Sequence, residues 1–105
     1  MKRGEIWLVS LDPTLGSEIQ KTRPCLIVSP DDLNSSLMTL IVAPLTTGSR
    51  RARFRIATKF RGKEGLILTD QIRTVSRQRL VKRLGSLPPA TLDAVLQVLR
   101  EAYER

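Results

Sequence analysis

The stretch Thr22-Arg23-Pro24-Cys25-Leu26-Ile27-Val28 lies at the centre of a segment, residues 16–30, around which the rest of the chain is arranged. Its apolar run predicts a buried β-strand over residues 25–29, and Pro24 restricts the backbone directly before it. Arg23 thus precedes a rigid strand, and its planar guanidinium offers five donors in a geometry suited to phosphate. We expect Arg23 to be the best-placed phosphate-binding cation; an ordinary surface arginine is the competing interpretation.

Outward from this segment the chain alternates short β patterns with turn formers. Further strands are predicted over residues 4–10, 38–43, 53–57, 66–68, 71–75 and 79–85. Residues 11–21 and 44–49 have the composition of loops, and a short helix is expected to begin after Pro30. The pattern predicts a mainly β protein with helices, an α+β fold built on a small barrel-like or coiled antiparallel sheet.

One long helix is expected at the end of the chain, after Pro88 and Pro89. Apolar residues recur there at helical spacing, and we expect this stripe to pack on the sheet. The members of the stripe are Leu92, Val95, Leu96, Leu99, Ala102 and Tyr103.

Composition limits the class of protein. At 105 residues, with 41% hydrophobic and 27% charged residues, the chain fits one globular domain over residues 1–105. The single cysteine, Cys25, lies in an apolar run and cannot form an intramolecular disulfide. No apolar stretch is long enough for a membrane span and no signal-type segment opens the chain, so we expect a cytoplasmic protein that does not contact a membrane.

The basic residues are concentrated in one part of the chain. The net charge is +8, and residues 50–83 hold twelve of the eighteen cations against only Glu64 and Asp70. Arginine exceeds lysine there, which favours contacts with phosphate over simple solubility. A polyanionic partner is therefore expected, although a solvated basic face is the alternative. With only four aromatic side chains, a stacking platform for single strands is not expected.

The residue types also limit the chemistry. The chain has no histidine, which excludes serine–histidine and cysteine–histidine pairs and the two-histidine ribonuclease arrangement. The scattered carboxylates do not predict a metal site, and the glycines form no phosphate-binding loop or dinucleotide motif, so no cofactor is expected. Arginine and hydroxyl groups nevertheless suffice to cleave RNA, because RNA supplies its own nucleophile, the 2′-hydroxyl.

Several short motifs, taken in order, resemble the MazF/PemK-like toxins of bacterial toxin–antitoxin systems over nearly the whole chain. These motifs are Arg3-Gly4-Glu5-Ile6-Trp7, Gly16-Ser17-Glu18, Arg23-Pro24, Ser29-Pro30, Ala43-Pro44-Leu45-Thr46-Thr47, Asp70-Gln71-Ile72-Arg73 and the closing helix. The resemblance implies a small SH3-like β-barrel of the CcdB/PemK type with a C-terminal helix. It also implies a homodimer that cleaves single-stranded mRNA at specific sequences without a metal, giving a 2′,3′-cyclic phosphate or 3′-phosphate and a 5′-hydroxyl.

By the same resemblance, Arg23 takes the catalytic arginine position, Thr46 the catalytic threonine position and Glu18 the position of a loop glutamate. Arginine is effectively never deprotonated, so we expect Arg23 to clamp the transition state and donate to the leaving group, while Glu18 or water accepts the proton. Some members of the family carry an arginine two residues before the motif aspartate, where this chain has Leu68. That difference favours an arginine–threonine site.

A second set of residues is expected to bind RNA rather than to react with it. Asp70 and Gln71 match a motif that lines the RNA groove in the family, with Arg73 beside them. Further candidates follow the predicted end of the strand at Ala43, in the polar and basic part of the chain: Thr47, Ser49, Arg50 and Arg53.

The resemblance also implies a protein that silences the toxin. An arginine-rich groove favours an acidic, disordered segment that imitates RNA phosphates, as expected of a DNA-binding antitoxin with an acidic tail. Two alternatives remain open at this point. One is a non-catalytic nucleic-acid- or protein-binding barrel, and the other is a gyrase-poisoning toxin of the same fold.

Overall fold

The computed structural model describes residues 1–11, 22–48 and 52–104. Within these ranges seven strands form one sheet. The strands are β1 (Glu5–Ser10), β2 (Thr22–Ile27), β3 (Thr39–Thr46), β4 (Arg55–Phe60), β5 (Lys63–Leu68), β6 (Arg73–Ser76) and β7 (Leu80–Ser86). The helices are α1 (Asp31–Ser36) and α2 (Pro89–Ala102), and 3₁₀ turns cover Thr69–Gln71 and Arg77–Arg79. The predicted β fold with a short and a long helix is confirmed.

Several predicted strand boundaries are wrong: β4 continues past Ala57 to Phe60, and β5 begins at Lys63 rather than Leu66. Two further corrections concern the site. The strand expected to begin at Cys25 already includes Thr22 and Arg23, because these residues pair with β1. The strand expected to end at Ala43 continues through Pro44 to Thr46. Proline suggested a loop there, but pairing with the neighbouring strand β5 keeps the chain extended. The predicted loop over residues 11–21 lies outside the described residues after Leu11.

The sheet is strongly curved because β3 takes part in both of its halves. The strand order is β4-β5-β3-β2-β1-β7, with β6 also paired to β3, and the pairs are antiparallel. Residues Thr39 to Val42 pair with β6, whereas Leu45 and Thr46 pair with β5. A strand that changes partners along its length turns the sheet into a half-barrel, as expected for this fold class.

The two ends of the half-barrel approach each other without forming a described ladder. A guanidinium nitrogen of Arg61, just after β4, donates a 2.7 Å hydrogen bond to the carbonyl oxygen of Leu84 in β7. A Cβ placed on Gly85 would lie 3.1 Å from the ring of Phe60, which is a tight contact, so the glycine favours this close approach of the ring. Side-chain contacts thus bring β4 and β7 together.

The central strands β2 and β3 are buried on both faces of the sheet, which explains their long apolar runs. Alternate residues of β2 enter separate clusters, with Leu26 in one and Cys25 and Ile27 in the other. The first cluster includes Val95 of α2, which is fully buried, so the helix covers that face as predicted. Ala102 and Tyr103 do not belong to the packed stripe: both are exposed, and Tyr103 follows the end of α2.

The first motif of the chain anchors the end of the sheet near α2. Gly4 has a φ of +92°, which glycine adopts without strain, and donates a hydrogen bond to Ile27. The Glu5 carboxylate accepts hydrogen bonds from Trp7 Nε1 at 3.0 Å and Arg83 Nε at 3.1 Å. Burial favours a raised pKa for Glu5, but the hydrogen bonds from Trp7, the Lys2 amide and Arg83, with the charged N-terminus, lower it overall.

Candidate active site

The register of β2 and β3 brings Arg23 and Thr46 to the same place. The ladder pairs Ile27 with Val42 and ends where Cys25 pairs with Pro44. Pro44 has no N–H to donate, and beyond it β3 pairs with β5 instead. Continuing the register by two residues aligns Arg23 with Thr46 across the opening between the strands. The site is therefore placed on two strands rather than on a loop.

Arg23 and Thr46 line two adjoining cavities. The first, which we call the hairpin cleft, has a volume of about 450 Å³. Its lining residues are Arg23, Pro24, Leu45, Thr46, Thr47, Thr58, Phe60, Arg61, Lys63, Gly65, Leu66 and Leu84. The second, the turn cleft, has a volume of about 270 Å³ and is lined by Leu11, Arg23, Pro44, Thr46, Leu68, Gln71 and Arg73. The arginine and the threonine thus form the boundary between the two clefts.

Arg23 is exposed and available to an anion. Among the described residues it has no carboxylate within salt-bridge distance. Arg73 lines the turn cleft beside it, so two cations face one small cavity. This arrangement suits a phosphate group, because a guanidinium can give two parallel hydrogen bonds to phosphate oxygens.

The hydroxyl of Thr46 is oriented by its own turn. Its Oγ1 accepts a hydrogen bond from the backbone N–H of Gly48 at 3.3 Å. Because a hydroxyl can accept and donate at the same time, this contact leaves the Thr46 proton free to donate to a ligand oxygen. The side chain is half-buried at the last position of β3, where the neighbouring strand restricts its movement.

Gly65 allows β5 to approach the backbone of Thr46. A Cβ at position 65 would lie 2.7 Å from the Thr46 carbonyl oxygen, closer than real Cβ atoms come. Gly65 also lines the hairpin cleft. The absence of a side chain therefore helps to fix the strand that carries the threonine.

Asp70 lies away from both clefts. Its two carboxylate oxygens accept hydrogen bonds of 3.0 Å from Nε and Nη2 of Arg55, a bidentate ion pair. The hydrogen bond from Arg55 holds the pKa of Asp70 below its usual value. This pair holds the 3₁₀ turn Thr69–Gln71 against β4, and Gln71 of that turn lines the turn cleft. Asp70 thus contacts the site only through the turn that it anchors.

The structure brings together some of the residues singled out from the sequence and separates others. Gln71 and Arg73 line the turn cleft, and Thr47 lines the hairpin cleft. Arg53 stacks over Phe54, with its guanidinium carbon 4.9 Å from the ring centre, and lines neither cleft. Glu18, Ser49 and Arg50 lie outside the described residues.

Sequence reasoning missed the far side of the hairpin cleft. Phe60, Arg61, Lys63 and Leu84 line it, yet none was singled out as a binding residue. The available signal was Gly62 between two short β patterns, because glycine accepts the positive φ of a tight hairpin turn. Recognising that turn would have placed Phe60 and Lys63 opposite each other, as the register confirms.

The described part of the chain holds no cluster of metal-ligating side chains and no membrane-spanning helix. No three histidine, cysteine, aspartate or glutamate side chains within it lie close enough together to hold a metal ion. None of its helices is long and apolar enough to cross a membrane.

The fold and site define a class, a small β half-barrel with an arginine and a threonine at the boundary of two basic clefts. The model of the family described as "PemK-like, MazF-like toxin of type II toxin-antitoxin system" matches residues 2–103. The chain therefore belongs to the PemK-like and MazF-like toxins of type II toxin–antitoxin systems.

Two relatives support this membership. Endoribonuclease PemK of Escherichia coli is 43% identical over 102 residues, covering 91% of this chain and 77% of the relative. Endoribonuclease EndoA of Bacillus subtilis is 31% identical over 106 residues, covering 95% and 91%. The class predicted from the sequence, a toxin endoribonuclease, agrees with these names.

Solved structures confirm the predicted fold. MazF from Deinococcus radiodurans superposes with a TM-score of 0.81 at 24% identity, covering 97% of this chain and 94% of that one. An endoribonuclease in complex with its cognate antitoxin, from Mycobacterial species, superposes with a TM-score of 0.79 at 26% identity, covering 97% and 93%.

Proposed function

We propose that this chain is the endoribonuclease toxin of a type II toxin–antitoxin pair and cleaves single-stranded mRNA at a phosphate held between Arg23 and Thr46. The observation that carries the proposal is that these two residues line both clefts. An RNA strand passing from one cleft to the other brings a phosphodiester to both side chains. The proposed site of action is the cytoplasm, where mRNA is translated.

The proposed reaction is an internal transesterification. The 2′-oxygen attacks the adjacent phosphorus and loses its proton to water or to Glu18, and the bond from phosphorus to the 5′-oxygen breaks. The products are a 2′,3′-cyclic phosphate, which water can open to a 3′-phosphate, and a 5′-hydroxyl, whose oxygen takes its proton from water. Arg23 stabilises the additional negative charge on the phosphorane, and the Thr46 hydroxyl donates to one of its oxygens. Neither contribution requires a metal.

The same charges support a protein partner. The net charge of +8 and the cations at the clefts favour an acidic peptide that imitates the spacing of RNA phosphates. One structural relative is an endoribonuclease bound to its cognate antitoxin. We propose that a cognate antitoxin covers the clefts of this chain and silences it, and that the toxin acts as a homodimer.

The deciding experiment is incubation with a long single-stranded RNA in EDTA, followed by mapping of the product ends. The wild-type protein should give discrete fragments with 2′,3′-cyclic phosphate or 3′-phosphate ends and 5′-hydroxyl ends. Arg23→Ala should cleave about 10²-fold to 10³-fold more slowly, since it removes a donor to the transition state. Arg100→Ala is the matched control, because it removes one positive charge from an exposed position on α2.

Each other outcome has a defined meaning. Intact RNA that nevertheless binds tightly would overturn the nuclease and favour a non-catalytic binding barrel. Intact RNA with gyrase inhibition would favour the gyrase-poisoning alternative. Equal cleavage by the wild type and Arg23→Ala would remove Arg23 from the site.

A further inference from the structure

The far side of the hairpin cleft has a chemical character of its own. Phe60 and Leu84 provide apolar surface, and Arg61 and Lys63 provide positive charge. Together with Arg23, three cations line this cleft, and no carboxylate is among its described lining residues. Its volume of about 450 Å³ lies within the range of small-ligand sites, about 300–1,000 Å³.

Arg61 is held at this cleft in an unusual backbone conformation. It lies at φ 52° and Gly62 at φ 79°, in the two-residue turn between the paired residues Phe60 and Lys63. Such turns favour asparagine, aspartate or glycine at both positions, because other side chains are strained at positive φ. Residues in strained conformations concentrate at functional sites, so this arginine points to a role for its side chain.

Two contacts fix the guanidinium of Arg61. It donates a 2.7 Å hydrogen bond to the carbonyl oxygen of Leu84, and its central carbon lies 5.6 Å from the centre of the Phe60 ring. The guanidinium therefore lies over the Phe60 ring, which places a cation and an aromatic ring together at the edge of the cleft. Bases of single-stranded RNA stack on aromatic rings and on arginine guanidinium planes.

We infer that the hairpin cleft is a nucleotide subsite that binds the base next to the scissile phosphate, with Lys63 and Arg61 beside the following phosphate. The inference rests on the proposed function, because it requires the scissile phosphate to lie between Arg23 and Thr46. It assigns the turn cleft and the hairpin cleft to nucleotides on opposite sides of the cleaved bond. RNA is favoured over an acidic peptide because Phe60 and Leu84 offer an apolar face that a base can cover.

The test measures binding separately from cleavage. The probe is a short fluorescein-labelled RNA methylated at every 2′-oxygen, which cannot be cleaved by internal attack. Arg61→Gly removes the guanidinium while keeping a residue that accepts positive φ, so the turn is preserved. This variant should bind the probe about 10-fold more weakly, as expected for loss of one stacked base, and Arg100→Ala should stay within about twofold of the wild type.

A second probe with abasic residues in place of its central bases makes the test independent of overall stability. The wild type should bind it about 10-fold more weakly than the intact probe, whereas Arg61→Gly should lose little further affinity. Two results would overturn the subsite. One is an equal loss of affinity for the abasic probe in the wild type and in Arg61→Gly. The other is an affinity of Arg61→Gly for the intact probe that equals that of Arg100→Ala. If Arg61→Gly binds RNA as the wild type does but binds a polyglutamate peptide more weakly, the cleft is instead assigned to an acidic protein.

The same cleavage and binding measurements distinguish failure of the proposed nuclease from failure of the subsite. If the wild type leaves ordinary RNA intact in EDTA while Arg61→Gly and the abasic probe both weaken binding, the nuclease is overturned and a base-binding cleft remains. Cleavage by the wild type with no effect of Arg61→Gly on binding overturns the subsite alone.

Discussion

Arg23 and Thr46 face one opening because the ladder between their strands stops two residues earlier, at Cys25 and Pro44. Pro44 cannot donate to a further rung, and Thr46 pairs with Leu66 of β5 instead. The gap where β3 changes partners is lined by a cation on one side and a hydroxyl on the other. A change in strand pairing thus creates the opening that forms the candidate site.

The hydroxyl of Thr46 is expected to act in the chemical step. Thr46→Val keeps the branched shape and removes the donor, so single-turnover cleavage should slow by about 10²-fold to 10³-fold. Thr46→Ser retains the hydroxyl, so its single-turnover cleavage rate should stay within about 10-fold of the wild-type rate. Both variants should bind methylated RNA with nearly unchanged affinity. A fully active Thr46→Val would exclude a catalytic role for the hydroxyl.

Gly65 is expected to act as a positioning residue for Thr46. An alanine Cβ would lie 2.7 Å from the Thr46 carbonyl oxygen, so Gly65→Ala should displace the end of β3. Small displacements of reacting groups are costly, and we expect kcat to fall about 10-fold or more while KM changes little. Unfolding by urea should show a loss of about 1–3 kcal/mol.

Gly48→Ala is the matched control for this substitution, because a Cβ there meets no atom of the described residues within 4 Å. It keeps the backbone N–H that donates to Thr46 Oγ1. A Gly65→Ala protein with the kcat of Gly48→Ala would show that the close approach does not position the threonine.

The ion pair between Asp70 and Arg55 predicts a stability difference that depends on pH. The pKa of Asp70 is lowered in the folded protein, mainly by the hydrogen bond from Arg55. The ionised carboxylate therefore stabilises the fold at pH values above the ordinary pKa of 3.8. This stabilisation is lost as the pH falls through the lowered pKa that Asp70 has in the folded protein. Asp70→Asn should therefore be less stable than the wild type at pH 7, and the difference should vanish in strong acid.

Urea unfolding at a series of pH values measures this difference. Asp93→Asn on α2 is the control, because Asp93 is exposed and has no ion pair among the described residues. A deficit of Asp70→Asn that persists unchanged in strong acid would mean that the carboxylate does not stabilise the fold through Arg55.

The buried thiol of Cys25 predicts that the free energy of unfolding decreases as the pH rises in the alkaline range. Burial raises the pKa of its thiol from 9.0 to about 12, although the charges of Arg73 and Arg23 oppose the change. Between these values the unfolded thiol has lost its proton and the folded one keeps it, so stability should fall by about 1.4 kcal/mol per pH unit. Cys25→Ala should lack this component of the slope. Equal slopes in the two proteins, measured by urea unfolding, would contradict a buried neutral thiol.

The sequence by itself determined the parts of this protein that depend on local pattern. Alternating and continuous apolar runs indicated the strands, and the apolar stripe after Pro89 indicated α2. The residues around Arg23 predict a phosphate-binding site, and this stays a prediction. These features can be predicted from the sequence because hydrophobic periodicity and backbone restriction act over a few neighbouring residues.

Only the tertiary structure decided what depends on register and closure. Arg55 and Asp70 are 15 residues apart, and Arg61 and Leu84 are 23 apart, so no local pattern predicts that they meet. Asp70 pairs with Arg55 and lines neither cleft, whereas the approach of β4 to β7 brings Arg61 to the hairpin cleft beside Leu84. The sequence determined which chemistry was available, and the curvature of the sheet determined which groups can act together.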